Sequence, residues 1–191
     1  MRHCRKWRKR WKQTAWVRRS SGWASPRCRT ASHVINASQA GGCIYGDIVN
    51  ETVERFDDFD GLIVGSPVYY GGPNGRLTSF LDRFLYSGAA AKCAGKIAAS
   101  VVSCRRGGAT AAFERLNQYF LMCNMHVAGS QYWNQVHGFT AKDVAKDEEG
   151  LQTMRTLAQN IAYLLKAKEA AAGAGIGEPV YEETVFTHFI R

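Results

Sequence analysis

Apolar and polar positions change period several times along the chain, and each change marks an element. Leu62-Ile63-Val64 is a short apolar run without polar alternation, which predicts a parallel strand covered on both faces. Gly65 and Ser66-Pro67 are expected to end that strand, since a central strand cannot spare the backbone donor that proline lacks. The segment Val68 to Gly75 carries three glycines and the adjacent Tyr69 and Tyr70. From Leu77 the period turns helical, with Leu77, Phe80, Leu81, Phe84 and Leu85 at i, i+3, i+4, i+7 and i+8. Strand, glycine-rich aromatic loop and amphipathic helix make half of a βαβ unit. In open α/β sheets such a loop is where ligands bind.

The same pattern recurs on either side. Asp47 is a plausible N-cap for a short helix with Ile48, Val49, Thr52, Val53 and Phe56 as its apolar stripe. Lys96 to Ser103 reads as a second buried strand, Cys104 to Gly108 as its C-terminal loop, and Ala109 to Cys123 as a helix with Phe113, Leu116 and Phe120 inward. Met125 to Gly129 reads as the last strand, ending in Ser130 to Asn134. Leu151, Met154, Leu157, Ala158, Ile161, Leu164 and Leu165 mark a closing helix, started by Asp147, Glu148 and Glu149 through the helix dipole. Ala170 to Gly177 is expected to be a flexible linker. Pro179 to Arg191 is an extended, partly apolar tail that should dock on its own domain or on a neighbouring subunit.

Gly65-Ser-Pro-Val-Tyr-Tyr-Gly-Gly72, with Leu81-Asp82-Arg83 on the following helix, resembles the NAD(P)H-dependent FMN reductase family, relatives of the iron–sulfur flavoproteins. Ser103 to Gly108, Gly129 to Asn134, Asp147 to Gly150 and the ending Thr187 to Arg191 continue the likeness, which covers residues 42–191. The resemblance implies a flavodoxin-like α/β fold with a doubly wound parallel sheet. It also implies that Ser66, Pro67, Val68, Tyr69, Tyr70, Gly71 and Gly72 contact the flavin and its ribityl chain, and that Ser103, Arg105, Arg106, Gly107 and Gly108 contact the isoalloxazine. By the same resemblance the cofactor is FMN, NADPH or NADH is the hydride donor, and the chain pairs as a homodimer; with no secretory apolar run ahead of the cysteines, reduced thiols in the cytoplasm are the simplest reading. The acceptor would be a small molecule, quinone-like or a flavin.

Charge divides the chain sharply. Eleven of the 25 Lys/Arg lie in residues 1–42 with no acid, and the other 14 face all 16 Asp/Glu. The body is therefore nearly neutral and offers nothing to nucleic acid. Residues 1–33 are rich in Arg, Trp and Ser and hold four of the five tryptophans. A basic arm gripping nucleic acid and a transit peptide are two readings. A third, which we favour, is a segment foreign to the fold, produced by a reading-frame slip or a misassigned start. A flavodoxin-like sheet needs a central first strand and a phosphate loop there. The chain offers Ser25-Pro26-Arg27 with no apolar strand before it and no Gly-Asn-Thr after it. The expected layout is thus 1–41 as a basic segment, 42–172 as the α/β domain and 173–191 as a tail.

Six cysteines show no paired spacing, so free thiols are expected. Cys43 resembles the last cysteine of the iron–sulfur relatives, but one thiolate cannot hold a cluster that takes four. No metal-ligand spacing and no apolar run of membrane-spanning length is present. His126 is expected to be a satisfied core residue and His137 a surface one. Tyr132 and Trp133 are expected to serve packing or an interface. Three functions remain: a flavin oxidoreductase impaired by its atypical N-terminus, a flavin-free scaffold acting through the basic arm, or a non-enzymatic electron carrier.

Overall fold

The computed structural model describes residues 42–187 and 189. The expectations for residues 1–41 therefore lie outside the described residues. Helix α1 (Ile48–Arg55) starts where Asp47 Oδ1 accepts from the Val49 amide at 3.1 Å, as the capping reading predicted. Strand β1 (Gly61–Tyr69), β2 (Gly72–Pro73) and helix α2 (Gly75–Tyr86) follow. Then come β3 (Ile97–Cys104), α3 (Ala109–Met122), β4 (His126–Val127) and β5 (Gln135–His137). A one-turn helix α4 (Ala141–Val144) leads into the long α5 (Glu148–Gly173).

The sheet order is β2-β1-β3-β4, with β5 also on β3, and every pairing except the β1–β2 hairpin is parallel. Apolar side chains of α1, α2 and α3 close one core with Val64, Ala98 and Val102. Leu157 of α5 closes a second with Ile97, Ala99 and Ala128 on the opposite face. Helices on both faces of a parallel sheet are the doubly wound α/β arrangement that was expected. Phe56, Phe84 and Phe120 are almost fully buried, each contributing about 2–3 kcal/mol of apolar burial.

Several expectations need correction. Strand β1 does not stop at Gly65–Pro67 but runs on to Tyr69. The Asp60 carbonyl accepts from Ile97, so in the parallel ladder even-numbered positions face β3 and odd ones face away. The donor Pro67 lacks is on that outer edge, where no described residue other than those of β2 pairs with β1. Nor is β1 covered on both faces: Ile63 is 44% exposed, and Gly65 and Pro67 share its face. Ile63 and Gly65 lie level with Ala99 and Val101, which pack with Leu157 of α5, while no β1 residue joins that cluster.

The strand expected at Met125–Gly129 pairs only at His126 and Val127. The chain leaves the sheet and returns as β5, a three-residue strand too short to show a period. The first half of the Ala-rich stretch read as a linker is helix, since α5 extends to Gly173 and alanine is the strongest helix former. His126 is exposed rather than buried.

Arg83 is the charged side chain the apolar stripe concealed. It is 3% exposed, and its Nη2 donates to Asp47 Oδ1 at 2.8 Å. Nε and Nη2 also donate to Cys43 Sγ at 3.2 and 3.1 Å, and the guanidinium lies 5.0 Å from the Tyr45 ring centroid. Burial works against its charge, but Asp47 and Cys43 outweigh burial and raise its pKa. One carboxylate thus caps α1 and neutralises a buried cation on α2. Asp47→Ala should cost about 1–3 kcal/mol, read as a lower denaturation midpoint, because it removes the carboxylate bonded to that buried cation together with the cap. Asp47→Asn, which keeps the cap, should cost less.

Asp147 plays the same part for α5, its Oδ1 accepting from the Gly150 amide at 2.9 Å and its Oδ2 from the His137 amide at 2.6 Å. Burial pushes this carboxyl up, but those two N–H groups and the His137 charge outweigh it and hold the pKa below the usual carboxylate range. A depressed folded-state pKa gives stability that is full above the unfolded value of about 3.9 and lost as pH falls through the folded one. Asp147→Asn should therefore flatten the loss of stability below about pH 4, measured by denaturant titration at stepped pH.

Candidate cofactor site

The two glycine-rich loops follow from strand register. Seven residue pairs, from Gly61 with Ile97 to Pro67 with Ser103, hold β1 and β3 level, so both strands deliver their loops to one edge of the sheet. The first loop is a hairpin. Val68 pairs with Pro73 and Tyr69 with Gly72, with Tyr70 at φ +49° and Gly71 at φ +79° between them. Positive φ at both central positions matches the right-handed twist of the flanking strands, and it holds Tyr70 fully exposed at the tip.

The second loop, Arg105 to Gly108, comes up against the first. A Cβ on Gly108 would lie 2.8 Å from the Gly71 Cα and 3.0 Å from Val68 Cγ1, and Gly108 also sits at φ +87°. Only glycine satisfies both the angle and the approach. At Gly71 and Gly107, by contrast, nothing lies within 4 Å of an added Cβ, so their backbones face open space. That leaves room on the side-chain side of both glycines for a flat ring such as an isoalloxazine to come near the backbone.

Ser66 is spent on the loop itself. It is 5% exposed, its Oγ donates to the Pro67 carbonyl at 2.8 Å, and it accepts from the Asn74 amide at 2.8 Å. Asn74 in turn caps α2 through the Arg76 and Leu77 amides. Ser66 thus fixes where the hairpin meets the helix. Ser103 is half-buried beside Pro67, while Tyr69, Arg105 and Arg106 are exposed. Val68 is half-buried under Gly108, and Gly72 and Pro67 complete the hairpin. All twelve expected residues therefore fall on these two abutting loops or on the strand ends that carry them.

Helices α2 and α3 begin at this edge, and neither has an acid in its first turn. Their positive dipole ends, with Arg105 and Arg106, give the edge a potential suited to negative charge. The neighbouring start of α5 is the opposite, with Asp147, Glu148 and Glu149. A small cavity of about 240 Å³ lies there, lined by Tyr132, Gln135, His137, Asp147, Glu149, Gly150 and Thr153. The spacing pattern missed Gln135 and His137 because their strand is three residues long.

Cys104 is buried. Among the described residues, no group of three or more His, Cys, Asp or Glu could hold a metal ion, and no helix is long and apolar enough to cross a membrane. Cys93, Cys104 and Cys123 are buried in the body, and Cys43 is engaged by Arg83, so the described cysteines form no set for an iron–sulfur cluster.

Comparison with known proteins shows what the chain is similar to. The chain is 30% identical over 135 residues to an iron–sulfur flavoprotein of Methanocaldococcus jannaschii, covering 67% of this chain and 70% of that protein. An iron–sulfur flavoprotein of Methanosarcina thermophila is 27% identical over 127 residues, covering 65% of each. Among solved structures, a WrbA-like flavodoxin from Agrobacterium tumefaciens aligns with a TM-score of 0.44 at 17% identity, over 60% of this chain and 74% of that one. An archaeal flavodoxin aligns with a TM-score of 0.41 at 18% identity, over 70% and 84%.

The model of the NADPH-dependent FMN reductase family matches residues 25–140. That match begins earlier than the likeness read from residue 42 and takes in Ser25-Pro26-Arg27. Gly108→Ala should cost about 1–3 kcal/mol through its left-handed angle and its clash with Gly71 backbone. Gly107→Ala, with open space before it, should stay within about 1 kcal/mol in the same denaturation measurement. With the matched family, the abutting loops and the parallel sheet in agreement, the chain belongs to the NADPH-dependent FMN reductase family of flavoproteins.

Proposed function

We propose that the protein is an NAD(P)H-dependent flavin oxidoreductase, with the isoalloxazine of FMN seated on the edge made by Val68–Gly72 and Ser103–Gly108. The observation that carries this reading is the close backbone approach of Gly71 and Gly108, beside open space on the side-chain side of Gly71 and Gly107. When bound, FMN would supply two-electron redox chemistry between NADPH or NADH and a quinone-like or flavin acceptor.

This chain's own residues orient and tune. Tyr69 and Tyr70 offer an exposed aromatic wall on one side of the edge. Arg105 and Arg106, with the acid-free starts of α2 and α3, stabilise negative charge that develops at the pyrimidine end of a bound ring. The reading needs no general base, and the twelve loop residues include no His, Cys, Asp or Glu. No observation on the described residues favours the flavin-free scaffold, whose basic arm lies outside them.

The phosphate of FMN asks for further donors, normally backbone N–H groups at a helix N-terminus. Three such bonds at roughly 1.5–3 kcal/mol each amount to three orders of magnitude in affinity or more. Fluorescence titration of the full chain with riboflavin and with FMN separates ring binding from phosphate binding. We expect both to bind with affinities within about tenfold of each other, and Gly108→Ala to weaken both. Replacing residues 1–33 by a strand–Gly-Ser-Pro-Arg-loop–helix segment should then favour FMN by about 1000-fold. Failure of the repaired chain to bind either flavin would sink the proposal. A native preference for FMN of 1000-fold would show that residues 1–41 already clamp the phosphate.

A further inference from the structure

Two buried cysteines play no part in the cofactor site, and the fold sets them side by side. Cys93 ends the short helical turn Ala89–Lys92 ahead of β3 and is fully buried, while Cys123 caps the end of α3 and is 8% exposed. Backbone pairing fixes how close they come. The Gly95 amide donates to the Asn124 carbonyl at 2.9 Å, and the His126 amide donates to the Lys96 carbonyl at 2.9 Å. These bonds hold residues 93–96 against residues 123–126. The two thiols lie within hydrogen-bonding reach of each other in one apolar core.

Their protons are shared unequally. Cys93 has a single S–H, which donates to the Ala89 carbonyl at 3.1 Å. A thiolate is a stronger acceptor than a neutral carbonyl, so that S–H turns to Cys123 when Cys123 ionises. This bond lowers the pKa of Cys123 against the effect of burial. The same bond, together with burial, raises that of Cys93. Cys123, the sulfur nearer to solvent, is therefore the nucleophile, and Cys93 behind it is the resolving thiol. The Lys96 ammonium, which donates to the Phe56 carbonyl at 3.2 Å, favours the ionised form of Cys93 when its turn comes.

We propose that Cys93 and Cys123 form a reversible dithiol–disulfide centre that takes a hydroperoxide as its oxidant. The Cys123 thiolate attacks the terminal oxygen, the O–O bond breaks, and the alkoxide leaves with a proton from solvent. Cys123 is then a sulfenic acid. The Cys93 sulfur, giving up its proton, attacks the Cys123 sulfur, and the departing hydroxide takes that proton to become water. Two thiols and one hydroperoxide thus yield one disulfide, one alcohol and one water, with two electrons passing from the sulfurs to the O–O bond. An external thiol reverses the change by exchange. The new bond closes a ring around β3 and α3, the strand and helix that hold Ser103–Gly108 between them. Closing that ring restricts the unfolded chain and so braces the unit.

The full chain, reduced and then treated with equimolar hydrogen peroxide, is alkylated in denaturant and digested with trypsin. We expect peptides 93–96 and 116–142 joined by a disulfide that dithiothreitol removes and that Cys123→Ala lacks. Cys4→Ser with Cys28→Ser should still give the link. Cys93 and Cys123 both alkylated after the peroxide is consumed, Cys123 joined to another cysteine, or Cys123 carried to sulfinic acid without the link would each overturn the proposal.

Urea unfolding supplies a second arm. The unfolding constant of the oxidised parent should be about tenfold or more below that of the reduced parent, and the difference should vanish in Cys123→Ala. An oxidised parent no more stable than the reduced one, or a difference that survives Cys123→Ala, would count against the brace. None of these readouts needs flavin, so their failure is distinct from failure of the flavin reading.

Discussion

The parallel pairing of β1 with β3 is the constraint on which the rest depends. Its register, Gly61 with Ile97 through Pro67 with Ser103, brings two loops from distant parts of the chain to the same height. A slip by one residue would turn Val64 and Ser66 out of the core face and bring Ile63 and Gly65 into it. It would also separate Gly108 from Gly71, whose contact leaves no room for a side chain. Register therefore fixes the core and the candidate site together, and the glycines act on a geometry that the strands have already set.

Where the chain repeats a period over several turns, the fold was legible in it. The stripe Leu77, Phe80, Leu81, Phe84, Leu85 located α2, and the run Lys96–Ser103 located β3 to within a residue. Short elements were not legible. β4 and β5 have two and three residues, and no period can show in so few. Pro67 misled because a proline's cost depends on which edge its missing donor faces, and that alternation is set by the partner strand. Arg83 was hidden for a related reason: its place between Leu81 and Phe84 looks like a polar break, yet its charge is met by Asp47 and Cys43, 36 and 40 residues away.

The site divides the same way. That Val68–Gly72 and Ser103–Gly108 carry special backbone was readable from their glycines and tyrosines. That Ser66 is committed to Asn74 and the Pro67 carbonyl was not, because Asn74 becomes its partner only after the hairpin folds back. The cluster of the iron–sulfur relatives offers a parallel. Cys43 has the right place in the chain for a ligand, but here its sulfur accepts two bonds from a buried guanidinium, which makes it part of the α1–α2 joint.

Electrostatics give the last step. The helices that start at the loop edge carry opposite signs: α2 and α3 begin without acids, while α5 begins with Glu148 and Glu149 behind the Asp147 cap. The positive ends flank the abutting loops, and the acidic start lies beside β5. An anionic ligand is thereby drawn toward the β1–β3 side and turned away from the β5 side, with Arg105 and Arg106 adding to the difference.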